Sequence, residues 1–121
     1  MTDPSQLRPG VVTRSVSPEN PTGAPGAGGR ATEGTGAAAA RDLGRGWKVS
    51  PSIEIPARSR AVLADLTGPG RITHIWITTH PDHWRQLLLR AYWDDETTAA
   101  IEVPVGDFFG QGWGRFAQLS S

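Results

Sequence analysis

Cysteine is absent from the 121 residues, which excludes disulfides, cysteine-bound zinc and thiol nucleophiles. Charge of either sign is not in surplus: 12 Lys and Arg balance 12 Asp and Glu. Without a basic stripe to displace counterions from a phosphate backbone, nucleic acid is not an expected partner. No apolar run approaches the ~20 residues that a membrane-crossing helix needs, and membrane is not an expected partner either. The opening Met1-Thr2-Asp3-Pro4-Ser5-Gln6 lacks the basic-then-apolar order of a secretory leader. These absences make a soluble, cytoplasmic protein the expectation. Large apolar side chains are also scarce before Trp47, where more than half of the 15 glycines and 10 prolines fall. Such a stretch cannot offset its ordering entropy by burial. The usable core is therefore expected between Trp47 and Leu119. That span, about 70 residues, is small for a sandwich with covered faces, so part of a larger body or an obligate oligomer is expected.

Residues 1–46 read as a Gly/Pro/Ala-rich arm. Ser17-Pro18-Glu19-Asn20-Pro21 favours turns, and residues 23–29 are nearly all Gly, Ala and Pro. One short helix is predicted near residues 37–43, where four alanines precede Gly44 as a C-terminal stop. From Ser52 the pattern is β. Ile53 and Ile55 alternate with polar neighbours, and Val62, Ala64 and Leu66 share one face of residues 61–66. Gly68-Pro69-Gly70 signals a tight turn. Residues 71–78 carry Ile75 and Ile77 on one face and Ile72 and Trp76 on the other, a pattern expected of a strand covered on both sides.

Residues 84–93 are again apolar on both faces. A helix fits them too, but Tyr92-Trp93 and the Asp94-Asp95 turn favour a strand with Leu87, Leu89, Ala91 and Trp93 aligned. Residues 100–105 place Ile101, Val103 and Val105 inward and Glu102 outward, with Pro104 requiring an edge or a bulge. Trp76 and Trp93 are expected in the core. The fold class predicted is all-β: an antiparallel β-sandwich or jelly roll, incomplete in this chain, with residues 47–121 as its N-terminal part.

Three motifs invite chemistry. Gly34-Thr35-Gly36-Ala37-Ala38-Ala39 fits the Gly-x-Gly-x-x-Ala form of a dinucleotide fingerprint but follows coil, whereas pyrophosphate binding needs a strand before the turn. His80 and His83 flank Asp82, yet Pro81 argues for a turn and a third ligand is missing, so no metal site is expected. His74 reads as a hydrogen-bonded core or interface histidine. The Gly-aromatic segment Gly106-Asp107-Phe108-Phe109-Gly110-Gln111-Gly112-Trp113-Gly114 follows a strand, where sites are often built. Its Asp-Phe-Phe-Gly differs from the kinase metal-binding triplet by an inserted Phe and lacks the companion motifs. Asp107 there can accept sugar hydroxyls, with Phe109 or Trp113 offering a flat face to a ring. Equally, Asp107 can cap a turn while Phe108, Phe109 and Trp113 fill the core end or a subunit interface. Glycoside hydrolysis ordinarily needs two carboxylates at a set separation. No pair among Glu54, Asp65, Asp94, Asp95, Glu96, Glu102 and Asp107 declares itself.

Three blocks carry a likeness. Leu66-Thr67-Gly68-Pro69-Gly70-Arg71-Ile72-Thr73-His74-Ile75-Trp76, then Leu89-Arg90-Ala91-Tyr92-Trp93-Asp94-Asp95-Glu96, then Val103-Pro104-Val105-Gly106-Asp107-Phe108-Phe109-Gly110 resemble glycoside hydrolase family 172 in order and spacing. The likeness extends over residues 15–121. It implies a double jelly roll, assembly into trimers or hexamers, and retaining hydrolysis of fructofuranosyl or arabinofuranosyl linkages by two glutamates, with no metal or other cofactor. The glutamates belong to a later part of the family's domain and none here matches them. The expectation is an N-terminal portion, inactive alone, that contributes Asp107, Phe109 and Trp113 to binding an oligosaccharide or furanoside substrate and no catalytic residue. The rival from another class is a non-catalytic carbohydrate-binding or assembly subunit.

Overall fold

The computed structural model describes residues 6, 9–44 and 46–119. The leader reading at residues 1–5 lies outside them. Contacts divide the chain into two compact units, Met1–Gly70 and Arg71–Ser121. The fold is mostly non-helical, with short helices and one two-stranded antiparallel sheet among the described residues.

In the first unit, the arm is organised by turns. Ser17 and Asn20 exchange backbone hydrogen bonds of 3.1 and 2.9 Å. The Asn20 amide then clamps Ala24, donating to its carbonyl at 3.0 Å and accepting from its N–H at 3.2 Å. Helix α1 (Ala37–Ala40) forms where four alanines give the lowest helix cost. The chain continues in turns to Gly44, whose φ of 74° is the left-handed geometry of a helix stop. Its buried Ala40, with Val49, forms this unit's small apolar core. Long-range bonds tie the arm to the following segment: the Gly36 N–H donates to Val49 O at 2.8 Å, Ser50 N–H donates to Glu19 Oε1 at 2.6 Å, and the Thr35 and Ser52 hydroxyls meet at 2.8 Å.

The second unit opens, after residues 71–80 in irregular extended chain, with a 3-10 turn at Pro81–His83. Leu87 N–H still reaches back to His83 O at 3.1 Å. Strand β1 (Leu88–Ala91) begins only then, so the expected strand over residues 84–93 is half turn and half strand. It pairs with β2 (Ile101–Pro104) in the register Leu89↔Val103, Arg90↔Glu102 and Ala91↔Ile101. Period-two alternation therefore puts Leu89, Ala91, Ile101 and Val103 on one half-buried face, as the sequence predicts. Arg90 and Glu102 stand opposite one another on the other face and form an ion pair. The Glu102 hydrogen bond, then its charge, raise the Arg90 guanidinium pKa above its usual value. Glu96 N–H bonds to Trp93 O at 3.2 Å around Asp94 and Asp95, both at positive φ (57° and 60°). Aspartate tolerates that geometry better than most residues.

Pro104 ends β2, and Val105 N–H donates to Leu87 O at 2.9 Å. One turn of helix, α2 (Val105–Phe108), follows, with Val105 as the buried apolar residue of this unit. A second 3-10 turn spans Gly112–Gly114.

Residues 52–55, 61–66 and 71–78, expected as strands, have no ladder partner among the described residues. Their large apolar side chains are open: Ile53, Ile55, Val62, Leu66, Ile72 and Ile75 are exposed. Trp76 is 68% exposed and Trp93 51%, so neither occupies the core expected for it. The reason is that a β pattern becomes a strand only when a neighbouring backbone supplies its hydrogen bonds. An apolar face likewise becomes a core only when a second layer covers it.

Candidate functional site

The fingerprint-like glycines come first because their geometry removes one chemistry. A Cβ on Gly34 would lie 2.6 Å from Ser50 Cα, and one on Gly36 would lie 2.8 Å from Lys48 O. Both glycines let the helix-entry backbone pass against residues 48–50. The Gly36 N–H is already spent on Val49 O, leaving a packed crossing where a phosphate cradle would need free amides.

His80 and His83 lie on the exposed 3-10 turn. His80 Nδ1 sits 3.3 Å from Asp82 Oδ2, and His83 Nδ1 is 3.1 Å from Gln86 Oε1. Among the described residues no group of three His, Cys, Asp or Glu side chains is placed to hold a metal ion. His74 is exposed in coil, which corrects the expectation of a core histidine in a strand.

The Gly-aromatic segment is more structured than a loop. Gly106 N–H donates to Trp84 O at 2.9 Å, while Gly106 O accepts from Gln111 N–H at 2.7 Å. A Cβ at Gly106 would come within 2.8 Å of Trp84 Cβ, so glycine is what allows this close approach. The Gln111 side chain then brackets Ala117, donating to its carbonyl at 3.0 Å and accepting from its N–H at 2.7 Å. Between those two anchors the backbone turns sharply, and Trp113 takes φ 63° and ψ 17°. A left-handed conformation is costly for a bulky residue, of order 1–3 kcal/mol. The indole it carries is 87% exposed and borders an open depression of about 440 Å³ shared with Arg115.

The other two expected binding residues are placed differently. Phe109 is half-buried and meets Phe108 edge-on, with ring centroids 5.0 Å apart at 85°. Asp107 lies in α2 with its side chain 25% exposed. Arg85 Nη1 donates to Asp107 Oδ2, while Asp107 Oδ1 is closed off from solvent and has no hydrogen-bond partner. Sequence reading did not single out Arg85, whose partner lies 22 positions away. The one-turn helix was legible in principle, since Pro104 precedes it and an acidic residue sits in its first turn.

A family model for the GH172 domain-like region matches residues 48–120, more than half of the chain. The chain belongs to the GH172 domain-like family. A comparison with curated proteins found no match. The GH172 domain-like segment thus includes the hairpin, α2 and the Trp113 turn, and with them Asp107, Phe109 and Arg85. It relates the chain to glycoside hydrolases.

Two carboxylates of the GH172 domain-like segment are engaged by arginines, Glu102 by Arg90 and Asp107 by Arg85. In the first unit Glu19 resembles Asp107 in one respect. One carboxylate oxygen is bonded to the Ser50 N–H and the other is buried without a donor. Sequence reading also passed over Glu19. Among the described residues no helix is long and apolar enough to cross a membrane.

Proposed function

We propose that this chain supplies the sugar-facing portion of a furanosidase-like glycoside hydrolase acting on fructofuranosyl or arabinofuranosyl linkages with retention. Trp113 carries the reading. It is a fully presented indole, held in an unfavourable backbone conformation by flanking hydrogen bonds, inside the segment that matches the family. Strain concentrated at an exposed aromatic is hard to explain by packing and is the form expected of a ligand platform. Retaining hydrolysis needs two carboxylates about 5–5.5 Å apart. In this proposal both come from polypeptide other than residues 1–121.

The β-patterned segments that have no ladder partner among the described residues support the finer architecture. Completed by further strands, residues 52–55, 61–66 and 71–78 become layers of a jelly roll, and their exposed apolar side chains become its core. Copies of the assembled protein then associate as a trimer or hexamer. The second reading, a non-catalytic carbohydrate-binding or assembly subunit, is favoured by the engaged carboxylates described above.

The test is direct. The 121-residue chain is titrated with methyl α-L-arabinofuranoside and methyl β-D-fructofuranoside while the Trp113 indole N–H resonance is followed. In parallel, hydrolysis of 4-nitrophenyl α-L-arabinofuranoside is measured. Saturable shifts without hydrolysis are expected. Absence of any shift with both glycosides overturns the sugar-facing role. Hydrolysis by the isolated chain overturns the placing of the catalytic carboxylates elsewhere.

A further inference from the structure

Asp107 is the residue whose chemistry suggests sugar binding, but its geometry does not let it act first. One oxygen is closed off from solvent and the other is taken by Arg85. Arg85 is open by contrast, with its side chain 49% exposed. Its stem runs beside the Trp113 turn, where a Cβ added to Gly114 would lie 3.5 Å from Arg85 Cγ. One side chain therefore links α2 to the turn that presents the indole. A guanidinium carries five N–H donors in a rigid plane, and the described bond to Asp107 uses one nitrogen, Nη1.

We propose that Arg85 contacts the ligand beside the Trp113 indole and that Asp107 is its positioning residue. Asp107 holds the guanidinium plane while the remaining N–H groups donate to neighbouring oxygens of one sugar ring. This rests on the reading under Proposed function and names the group in that site that selects the ligand. The ligand class follows from charge. Because Asp107 already neutralises the guanidinium, an anion gains little there, whereas adjacent neutral hydroxyl oxygens match a planar pair of donors. Glycine at 114 suits the same turn because the backbone there takes φ 64°.

The experiment compares methyl α-L-arabinofuranoside with its 2-deoxy counterpart, using the wild-type chain, Arg85→Met and Arg85→Lys. The Trp113 indole N–H reports binding, and the amide resonances of Leu88–Ala91 report the fold. Wild type is expected to bind the parent glycoside at least about fivefold more tightly than the deoxy analogue, as loss of one hydrogen bond to a charged donor implies. In Arg85→Met this discrimination collapses towards unity, and Arg85→Lys falls between. A merely structural arginine would weaken both glycosides alike and leave their ratio intact, which overturns the assignment while Proposed function stands. Wild type that binds neither glycoside removes both. If Arg85→Met loses the hairpin resonances, Arg85→Lys decides: undiminished discrimination with lysine overturns the proposal, and reduced discrimination supports it.

Discussion

Trp113 and Gly106 show how single positions set up the site. Replacing Trp113 with glycine removes the indole but suits φ 63°. Trp113→Gly should therefore abolish furanoside-induced shifts of the backbone amides of residues 85 and 110–115 while leaving the second unit as stable as before, or more stable by about 1 kcal/mol. Denaturant unfolding followed by hairpin amide signals checks the second half of that statement, and glycoside titration checks the first. Gly106→Ala should do the reverse of a stabilising change. Its new Cβ meets Trp84 Cβ at 2.8 Å and Gln111 O at 3.3 Å, so the backbone of α2 has to shift. A loss of about 1–3 kcal/mol is expected from such overpacking, read as a lower denaturation midpoint. Glycine content was visible at once in the sequence. Which glycine is irreplaceable was not, because Trp84 reaches Gly106 through a chain reversal that no local pattern encodes.

The hairpin is the element in which sequence and structure agree most closely. Alternation predicted Ile101 and Val103 facing one way and Glu102 the other, and the register realises it through Leu89↔Val103 and Ala91↔Ile101. The Arg90–Glu102 pair then sits in register across the two strands. Arg90→Glu should reduce amide-exchange protection in both strands through like-charge repulsion, and adding Glu102→Arg should restore it. The pH dependence has a definite sign. The folded-state pKa of Arg90 is raised above its usual value, so its contribution is complete below the unfolded value and lost only as pH rises through the higher folded one. Hairpin protection, after correction for intrinsic exchange, should stay level between about pH 7 and 10.

For the whole chain, the decisive quantity is the apolar surface left exposed. Among the described residues Ala40, Val49 and Val105 are the buried apolar ones, while Val62, Leu66, Ile72 and Phe116 are exposed. Large exposed apolar side chains in such number are the material of association surfaces. Size-exclusion chromatography with light scattering should give a mass well above the 12.9 kDa of one chain. Val62→Asp combined with Leu66→Asp should move the elution towards the monomer. A monomeric wild type at about 50 μM would argue against assembly through these segments, since specific interfaces of ordinary size hold at that concentration.

Composition and periodicity were enough to exclude thiol chemistry, locate the hairpin, place the short alanine helix and draw attention to residues 106–114. Those features rest on local preferences: helix cost, alternation along a strand, and glycine beside aromatics. The arm's attachment through Glu19, the close packing at Gly34 and Gly36, and the capture of Asp107 by Arg85 were decided by tertiary structure. Each depends on groups brought together from distant parts of the chain. Residues 52–78 mark the boundary between the two kinds of information. Their alternation specifies which side chains would face a core, but only a second layer of backbone and side chains can turn that preference into strands.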